Sequence, residues 1–406
     1  MKQLLLCILV SILSFNFSNA QQLENLIKEG LENNSKIQLF DLKYQVAKEK
    51  VNEANTLPNT QIGVGVFVSE PETRTGAQRF KLSAKQMLPS FGSITARKNY
   101  KNAIADAVYV DIAIEKRKLV ASISQSYYTL YALKNKQQIL SENIVLLEKY
   151  ETILLKYVEV GKATAVNVLR LQMRKNDLIS LKQVLEQDFL AEQTSVNKTL
   201  NREKNIPISI DDELLLIPEN NLINLENLDL HPELLKYDKL FQSIEKSELL
   251  NRKEKNPMFG FGLDYIAISE RPNLSFTDNG KDILMPMATI SIPLFNKTYK
   301  SKTKQNELLQ KEIMTQKQDK KNRLITLLDK ALKKRNSAII NYNTQVKNLK
   351  QATNAETILF KNFETGTINF NDILEIQELL LKFQINQIEA IKTYYLQTTI
   401  MNYLTN

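Results

Sequence analysis

The sequence predicts a mixed α/β membrane protein in which long coiled-coil α-helices are combined with four membrane-crossing β-strands. Three observations predict this class. Only 10 Gly and 10 Pro occur in 406 residues, against roughly 7% and 5% in ordinary proteins, and this scarcity favours long helices. Two pairs of segments alternate apolar and polar residues as strands do. The same landmarks occur twice in the same order, displaced by roughly 200 residues, which indicates an internal duplication.

The first 20 residues have the pattern of a secretory signal peptide. Lys2 supplies the positive end, residues 4–13 supply an apolar run, and Ser18-Asn19-Ala20 supplies a small-residue cleavage site. Cys7, the single cysteine, lies inside this run. We therefore expect an exported chain that starts at Gln21 and has no disulfide. The alternative is an N-terminal helix that stays in the protein and is buried.

The first repeat, residues 21–200, is predicted to begin with a helix and then to form strands at about 60–69 and 78–87. Val64 and Val66 alternate with Gly63 and Gly65. Such segments have about the 9–11 residues that a tilted strand needs to cross a bilayer. An apolar face towards lipid and a polar face towards a lumen suit a membrane barrel. A soluble hairpin packed on a core would show the same alternation.

A long helical hairpin completes the first repeat. Residues 93–159 contain no Gly or Pro, so one helix of about 100 Å is expected. Apolar residues follow heptad spacing along it, which predicts a coiled-coil seam: Leu119, Ile123, Leu130, Leu133, Leu140, Ile144, Leu147, Leu154 and Val158. Gly161 then suits a helix end in the left-handed conformation, and a tip is predicted at residues 160–166.

The second repeat, residues 229–406, has the same plan. Residues 201–228 contain Pro207 and Pro218 and are predicted to form a less helical segment between the repeats. His231 precedes Pro232 and is interpreted as a helix-entry residue. Strands are predicted at about 257–268 and 284–293, and a tip at residues 365–372 around Gly366.

Four strands do not close a membrane barrel, because the smallest known barrels have about eight. Three copies would supply twelve strands, and four copies would also close. No later run of about 18 apolar residues is present, so no transmembrane helix is expected.

Composition and motifs exclude several other classes of protein. The net charge is +9, but lysines alternate with acidic residues along the helices, which indicates a solvated surface and no nucleic-acid partner. One histidine and no cysteine in the mature chain do not build a His/Cys zinc site. No phosphate-binding glycine loop or Gly-x-Ser-x-Gly motif is present. We expect no catalysis and no cofactor.

The tip sequences are Val160-Gly161…Asn167-Val168-Leu169…Gln172 and Thr365-Gly366…Asp372-Ile373-Leu374…Gln377. Together with the duplicated strand pairs, they resemble the TolC-like outer-membrane efflux protein family over essentially the whole mature chain. The resemblance implies a homotrimer with a twelve-strand β-barrel in outer-membrane lipid and an α-barrel in the periplasm. It also implies that the turns at Gly161 and Gly366 dock to a periplasmic adaptor (membrane fusion) protein that serves an inner-membrane pump of the RND type.

In relatives, carboxylates of the second tip ring the closed entrance. The matching positions are Asp372 and Glu375, whereas the first repeat has Asn167 and Arg170 there. The resemblance therefore makes Asp372 and Glu375 a candidate periplasmic gate, since carboxylate rings favour cations. In the alternative, Asp372 caps the following helix and Glu375 is a solvated helix residue.

The function implied is export of small molecules (drugs, toxic compounds or metal ions) from the periplasm to the exterior. Two alternatives remain open. The same architecture serves as the outer-membrane component of a type I protein secretion system, and a periplasmic coiled-coil scaffold without a pore would also have long helices.

Overall fold

The computed structural model describes residues 18–211, 214, 216 and 226–405. The predicted signal peptide therefore lies outside the described residues except for 18–20, and so does Pro218 of the predicted inter-repeat segment. The elements, in chain order, are α1 (Ser18–Asn33), α2 (Ser35–Glu53), β1 (Gln61–Val66), β2 (Glu72–Thr73), β3 (Gly76–Leu88), α3 (Ser93–Glu159), α4 (Ala165–Thr199), α5 (Glu226–Asp229), α6 (Pro232–Glu254), β4 (Met258–Ser269), β5 (Ile283–Ser291), α7 (Thr298–Glu364) and α8 (Phe370–Thr405).

The predicted combination of long helices with a small antiparallel sheet is confirmed. Helices α3 and α7 have 67 residues each, and neither contains Gly or Pro, the two residues that most disfavour a helix interior. A short strand that lies between the two predicted strands of the first repeat, β2, pairs with β3. The described residues divide into two compact units: those within Met1–Leu39, Ala113–His231 and Lys321–Asn406 belong to one, and Phe40–Ile112 and Pro232–Lys320 belong to the other.

The first unit is helical and has two apolar cores. The heptad seam of α3 supplies fully buried side chains to both of them, among them Ile123 and Leu130 in one core and Leu140 and Leu154 in the other. Gln137, a polar residue in this seam, donates a hydrogen bond of 3.1 Å to the Leu185 carbonyl. The seam therefore packs as a coiled coil without leaving this amide unpaired.

The segment after α4 packs on α3 through tyrosine hydroxyls. The Tyr127 hydroxyl donates to a carboxylate oxygen of Asp211 at 2.7 Å and accepts the Asp211 N–H at 3.1 Å. The Tyr131 hydroxyl accepts the Leu214 N–H at 3.2 Å. His231, which ends the second stretch of this unit, is buried and its ring lies 3.1 Å from the Tyr403 carbonyl.

The second unit contains the sheet, whose strand order is β1-β3-β4-β5 with antiparallel pairing throughout. Residues that face each other across these ladders share a face of the sheet. One face is apolar and exposed: its members include Ile62, Val64, Val66, Leu82, Phe259, Phe261, Leu263, Leu284 and Ile290. We call the opposite face the polar face because its charged and polar side chains are Gln61, Lys81, Ser83, Lys85, Asp264 and Thr289. It also carries apolar side chains, namely Met87, Met258, Ile266, Ile283, Met285 and Met287.

None of the described helices combines the length and the apolar character that crossing a membrane requires.

Candidate functional site: the two helix-hairpin tips

The first tip, residues 160–164, reverses the chain between α3 and α4. Gly161 has φ of 70°. Its N–H donates to the Val158 carbonyl at 3.0 Å, and the Lys162 N–H donates to the Tyr157 carbonyl at 2.8 Å. These two bonds form a Schellman motif, which satisfies the last carbonyls of α3 and requires a left-handed residue at its centre.

The second tip, residues 365–369, repeats this geometry between α7 and α8. Gly366 has φ of 77°. Its N–H donates to the Phe363 carbonyl at 2.9 Å, and the Thr367 N–H donates to the Asn362 carbonyl at 3.0 Å. The Thr367 hydroxyl donates to the same carbonyl at 2.8 Å. Both predicted tip glycines thus adopt the left-handed conformation at equivalent helix ends.

Asp372 takes part in a capping box at the start of α8. The Asn369 N–H donates to the Asp372 carboxylate at 3.2 Å, and the Asn371 N–H donates to the Asn369 side-chain oxygen at 3.2 Å. Such reciprocal bonds satisfy N–H groups that have no partner inside the helix. The capping role that the sequence left as an alternative for Asp372 is therefore present. Glu375, one turn later, is exposed.

The equivalent residue of the first repeat makes a different contact. Asn167 is buried, and its amide donates to the Asn369 side-chain oxygen at 3.4 Å. This bond joins the start of α4 to the start of α8, so Asn167 links the two tips. Arg170, the equivalent of Glu375, is exposed.

Aromatic rings fill the interior beneath the second tip. The ring centroids of Phe363 and Phe370 lie 5.3 Å apart, and those of Tyr150 and Phe370 lie 6.1 Å apart at an interplanar angle of 90°. Phe370 and Ile373 are fully buried. The second turn therefore rests on a packed apolar base, which holds its geometry.

A glutamine–glutamate pair braces each hairpin near its tip. The Gln172 amide on α4 donates to Glu151 on α3 at 2.7 Å, and the Gln377 amide on α8 donates to Glu356 on α7. Each pair is separated by 21 residues in sequence. The first pair also includes Lys175, whose ammonium lies 2.6 Å from Glu151.

The second pair includes a tyrosine where the first has a lysine. The Tyr150 hydroxyl donates to Glu356 at 3.0 Å. Burial raises the pKa of Tyr150 above its ordinary value, and the neighbouring Glu356 carboxylate raises it further. The hydroxyl is therefore a stable donor across the physiological range. In the first pair, hydrogen bonds from Lys175 and Gln172 lower the pKa of Glu151.

Solved structures with the same architecture are outer-membrane channels. The outer-membrane channel OprN matches at a TM-score of 0.78 and 13% identity, covering 95% of this chain and 90% of that one. The outer membrane protein VceC from Vibrio cholerae matches at 0.77 and 14%, covering 96% and 97%. The open state of the Neisseria gonorrhoeae MtrE outer membrane channel matches at 0.74 and 14%, covering 95% and 88%.

The chain has the outer-membrane channel fold. Of the fold that the resemblance implies, the long helices with a small antiparallel sheet are thereby confirmed over nearly the whole chain. No protein-family model matches the chain, and no curated protein matches its sequence.

Within the outer-membrane channel fold, the residues singled out from sequence fall into two groups. Gly161, Gly366 and Asp372 are brought together at the tips, whereas Glu375 lies on an exposed helix face. Sequence reasoning missed the bracing role of Glu151 and Glu356. Their equal spacing from Gln172 and Gln377 was the available signal. Among the described residues, no group of three or more His, Cys, Asp or Glu side chains could hold a metal ion.

Proposed function

We propose that this protein is the outer-membrane channel of a tripartite efflux system. It exports small molecules, such as drugs, toxic compounds or metal ions, from the periplasm to the exterior. It lies in the outer membrane with a long periplasmic portion. A periplasmic adaptor protein and an inner-membrane pump of the RND type select and drive the cargo, and the channel itself catalyses no reaction.

The sheet carries this proposal. Its apolar face exposes large side chains, including Val64 at 71% and Phe261 at 62%. Exposed apolar surface of this extent is typical of a surface that contacts lipid or another protein. All the charged side chains of the paired strands β1, β3, β4 and β5 whose register is given, Lys81, Lys85 and Asp264, lie on the opposite face, among methionines and isoleucines. Charge confined to one face of the strands suits a sheet between lipid and an aqueous lumen.

The two edge strands of the sheet are the observation that favours an oligomer. Strands β1 and β5 are the edge strands, and edge strands expose N–H and C=O groups that pair readily with another chain. Pairing β5 of one copy with β1 of the next would join three four-strand sheets into a closed twelve-strand barrel. Closure removes the edges, as a lipid environment demands.

Exposed apolar side chains beside the first tip favour docking to an adaptor. Val166, Leu169 and Met173 are exposed on α4 and recur at helical spacing. They form an apolar stripe that starts beside the first tip. We assign the gate to Asp372 and Glu375 of the three copies, with Glu375 as the member whose carboxylate faces solvent.

Electron microscopy and bilayer recording of the detergent-extracted protein test the proposal together. We expect a three-fold tube longer than about 100 Å, and discrete conductance steps when it is added to a planar bilayer. A compact or thread-like particle with no conductance would contradict the channel and favour the periplasmic scaffold. Conductance with export of a protein substrate, and no drug or metal sensitivity in a deletion strain, would favour protein secretion.

A further inference from the structure

The strands β1, β3, β4 and β5 contain three basic residues and one acidic residue. Strand β3 contributes Arg79, Lys81 and Lys85, β4 contributes Asp264, and β1 and β5 contribute none. The register places Lys81, Lys85 and Asp264 on the polar face, whereas Arg79 falls where the pairing of β3 with β4 is irregular. The polar face therefore carries an excess of positive charge.

The carboxylate of Asp264 is committed to one of the two lysines. Asp264 faces Ser83 across the ladder between β3 and β4, so it lies diagonal to both Lys81 and Lys85. It is fully buried and forms an ion pair with the Lys81 ammonium. Because a buried carboxylate without a counter-charge is costly, this pair holds Lys81 in place and offsets its charge.

Lys85 has no ion-pair partner in the described part of the chain. It faces Gln61 on β1 and Gly262 on β4, and Met287 faces Gly262 from β5. None of these three residues carries a charge. The Lys85 side chain is exposed, and its Cγ lies 3.2 Å from the place that a Cβ on Gly262 would take. The stem therefore lies along a position without a side chain, and its ammonium can extend into solvent.

In a closed barrel the polar face lines the lumen, and this step rests on the proposed function. Rotational symmetry then places Lys85 of every copy at the same height in the barrel. The pairs of Lys81 and Asp264 add no net charge, so each copy contributes one uncompensated ammonium from Lys85. Rings of lysine or arginine side chains attract anions in pores. Their charge is opposite to that of the carboxylates proposed for the gate.

We propose that Lys85 determines ion preference in the barrel: one ammonium from each copy forms a ring that favours small anionic solutes, such as carboxylates and phosphates, over cations. A lysine ammonium acts on such groups as a point charge, so the ring selects by charge and not by shape. The ring acts across water. Its effect therefore weakens as the Debye length falls from about 10 Å at 0.1 M salt to about 3 Å at 1 M.

Reversal potentials of single channels in planar bilayers under a KCl gradient test the ring. Lys85→Glu inverts the charge and should shift the reversal potential towards the potassium equilibrium potential. Lys85→Gln removes the charge and should produce part of that shift. Both shifts should shrink when the salt concentration is raised from 0.1 M to 1 M, because the charge is then screened. Since the gate and the barrel lie in series, each variant is compared with the wild type.

Lys81→Gln combined with Asp264→Asn is the matched control. This double variant removes two charged groups from the same face and leaves the net charge of that face unchanged, so it should keep the wild-type reversal potential. An unchanged reversal potential in Lys85→Glu would overturn the ring and leave the channel standing. A wild-type protein that gives no conductance would overturn the proposed function, and the ring with it.

Inorganic pyrophosphate provides a second measurement that starts from the wild-type protein. Added from the barrel side, this multivalent anion should reduce the conductance at 0.1 M salt and lose most of that effect at 1 M. Lys85→Gln should lose the block, whereas the double variant of Lys81 and Asp264 should retain it. Equal block in the wild type and in Lys85→Gln would contradict the assignment of the ring to Lys85.

Discussion

The side-chain amide of Gln172 donates a hydrogen bond of 2.7 Å to the carboxylate of Glu151, and the second repeat contains the same bond between Gln377 and Glu356. The duplication therefore extends beyond helix lengths to a polar contact between the arms of each hairpin. The third partner differs, since Lys175 joins the first pair and Tyr150 joins the second. Because of this difference, replacing the glutamine should destabilise the two hairpins by different amounts.

Gln377→Leu should destabilise its hairpin more than Gln172→Leu. Removal of Gln172 leaves Glu151 with the Lys175 ammonium, so we expect a loss of about 0.5–1.5 kcal/mol in the free energy of local opening. Removal of the buried Gln377 leaves Glu356 with a neutral hydroxyl donor, and we expect about 1–3 kcal/mol. Hydrogen exchange of the amides on either side of each tip measures the free energy of local opening in both variants. Equal protection in the two variants would show that the third partner does not matter.

The tip glycines should not tolerate a side chain, although space is available. A Cβ on Gly161 or Gly366 would meet no atom within 4 Å, so any loss comes from the backbone. A left-handed residue with a Cβ costs about 1–2 kcal/mol. We therefore expect Gly161→Ala and Gly366→Ala each to lower the free energy of local opening of the last turn of the preceding helix by that amount. Hydrogen exchange of the amides in that turn measures the change.

Gly65→Ala is the matched control for the tip variants. Its Cβ would also meet no atom within 4 Å, and its φ is not positive. It should leave protection at the tips unchanged. If the tip variants behave like this control, the left-handed turns are not needed to hold the hairpins.

Glu389 should make the first unit sensitive to acid. Burial raises the pKa of this carboxyl, but hydrogen bonds and charge from Lys136 and Lys392 outweigh burial and lower it below the ordinary value. A carboxyl whose pKa is depressed in the folded state stabilises the fold at neutral pH. That contribution is lost as the pH falls below the ordinary value of about 4.3 and through the depressed pKa.

Glu389→Gln should therefore lower thermal stability at pH 7 and flatten its decline below about pH 4.3. Glu186→Gln, at an exposed position on α4, is the control and should follow the wild type. Thermal unfolding followed by circular dichroism between pH 3 and 7 checks this. A parallel decline in wild type and Glu389→Gln would mean that the ion pairs with the two lysines contribute nothing.

Much of the fold could be predicted from sequence because its signals are local. The absence of Gly and Pro from residues 93–159 predicts α3, and the left-handed turn at Gly161 follows from a single glycine after a long helix. Contacts between distant residues could not be predicted in this way. The bond from Asn167 to Asn369 spans 202 residues, and no property of either asparagine identifies the other.

The site was predictable only in part for the same reason. Asp372 has the sequence position of both a helix cap and a gate carboxylate, and only its distance of 3.2 Å from the Asn369 N–H reveals the cap. Glu375 has no such structural role at the helix start and lies exposed. The two carboxylates can therefore be separated by experiment, although sequence treats them as a pair.

Glu375→Gln and Asp372→Asn should differ in which property they change. If the three copies place Glu375 around the entrance, Glu375→Gln should weaken block by multivalent cations in bilayer recordings while leaving exchange at the tip unchanged. Asp372→Asn should weaken block too, and it should also raise exchange at the start of α8, because loss of an N-terminal cap contact costs about 0.5–2 kcal/mol. Glu378→Gln, an exposed acid one turn further along α8, is the control for charge alone. Equal block in the wild type, Glu375→Gln and Glu378→Gln would contradict the gate and leave Asp372 with its capping role only.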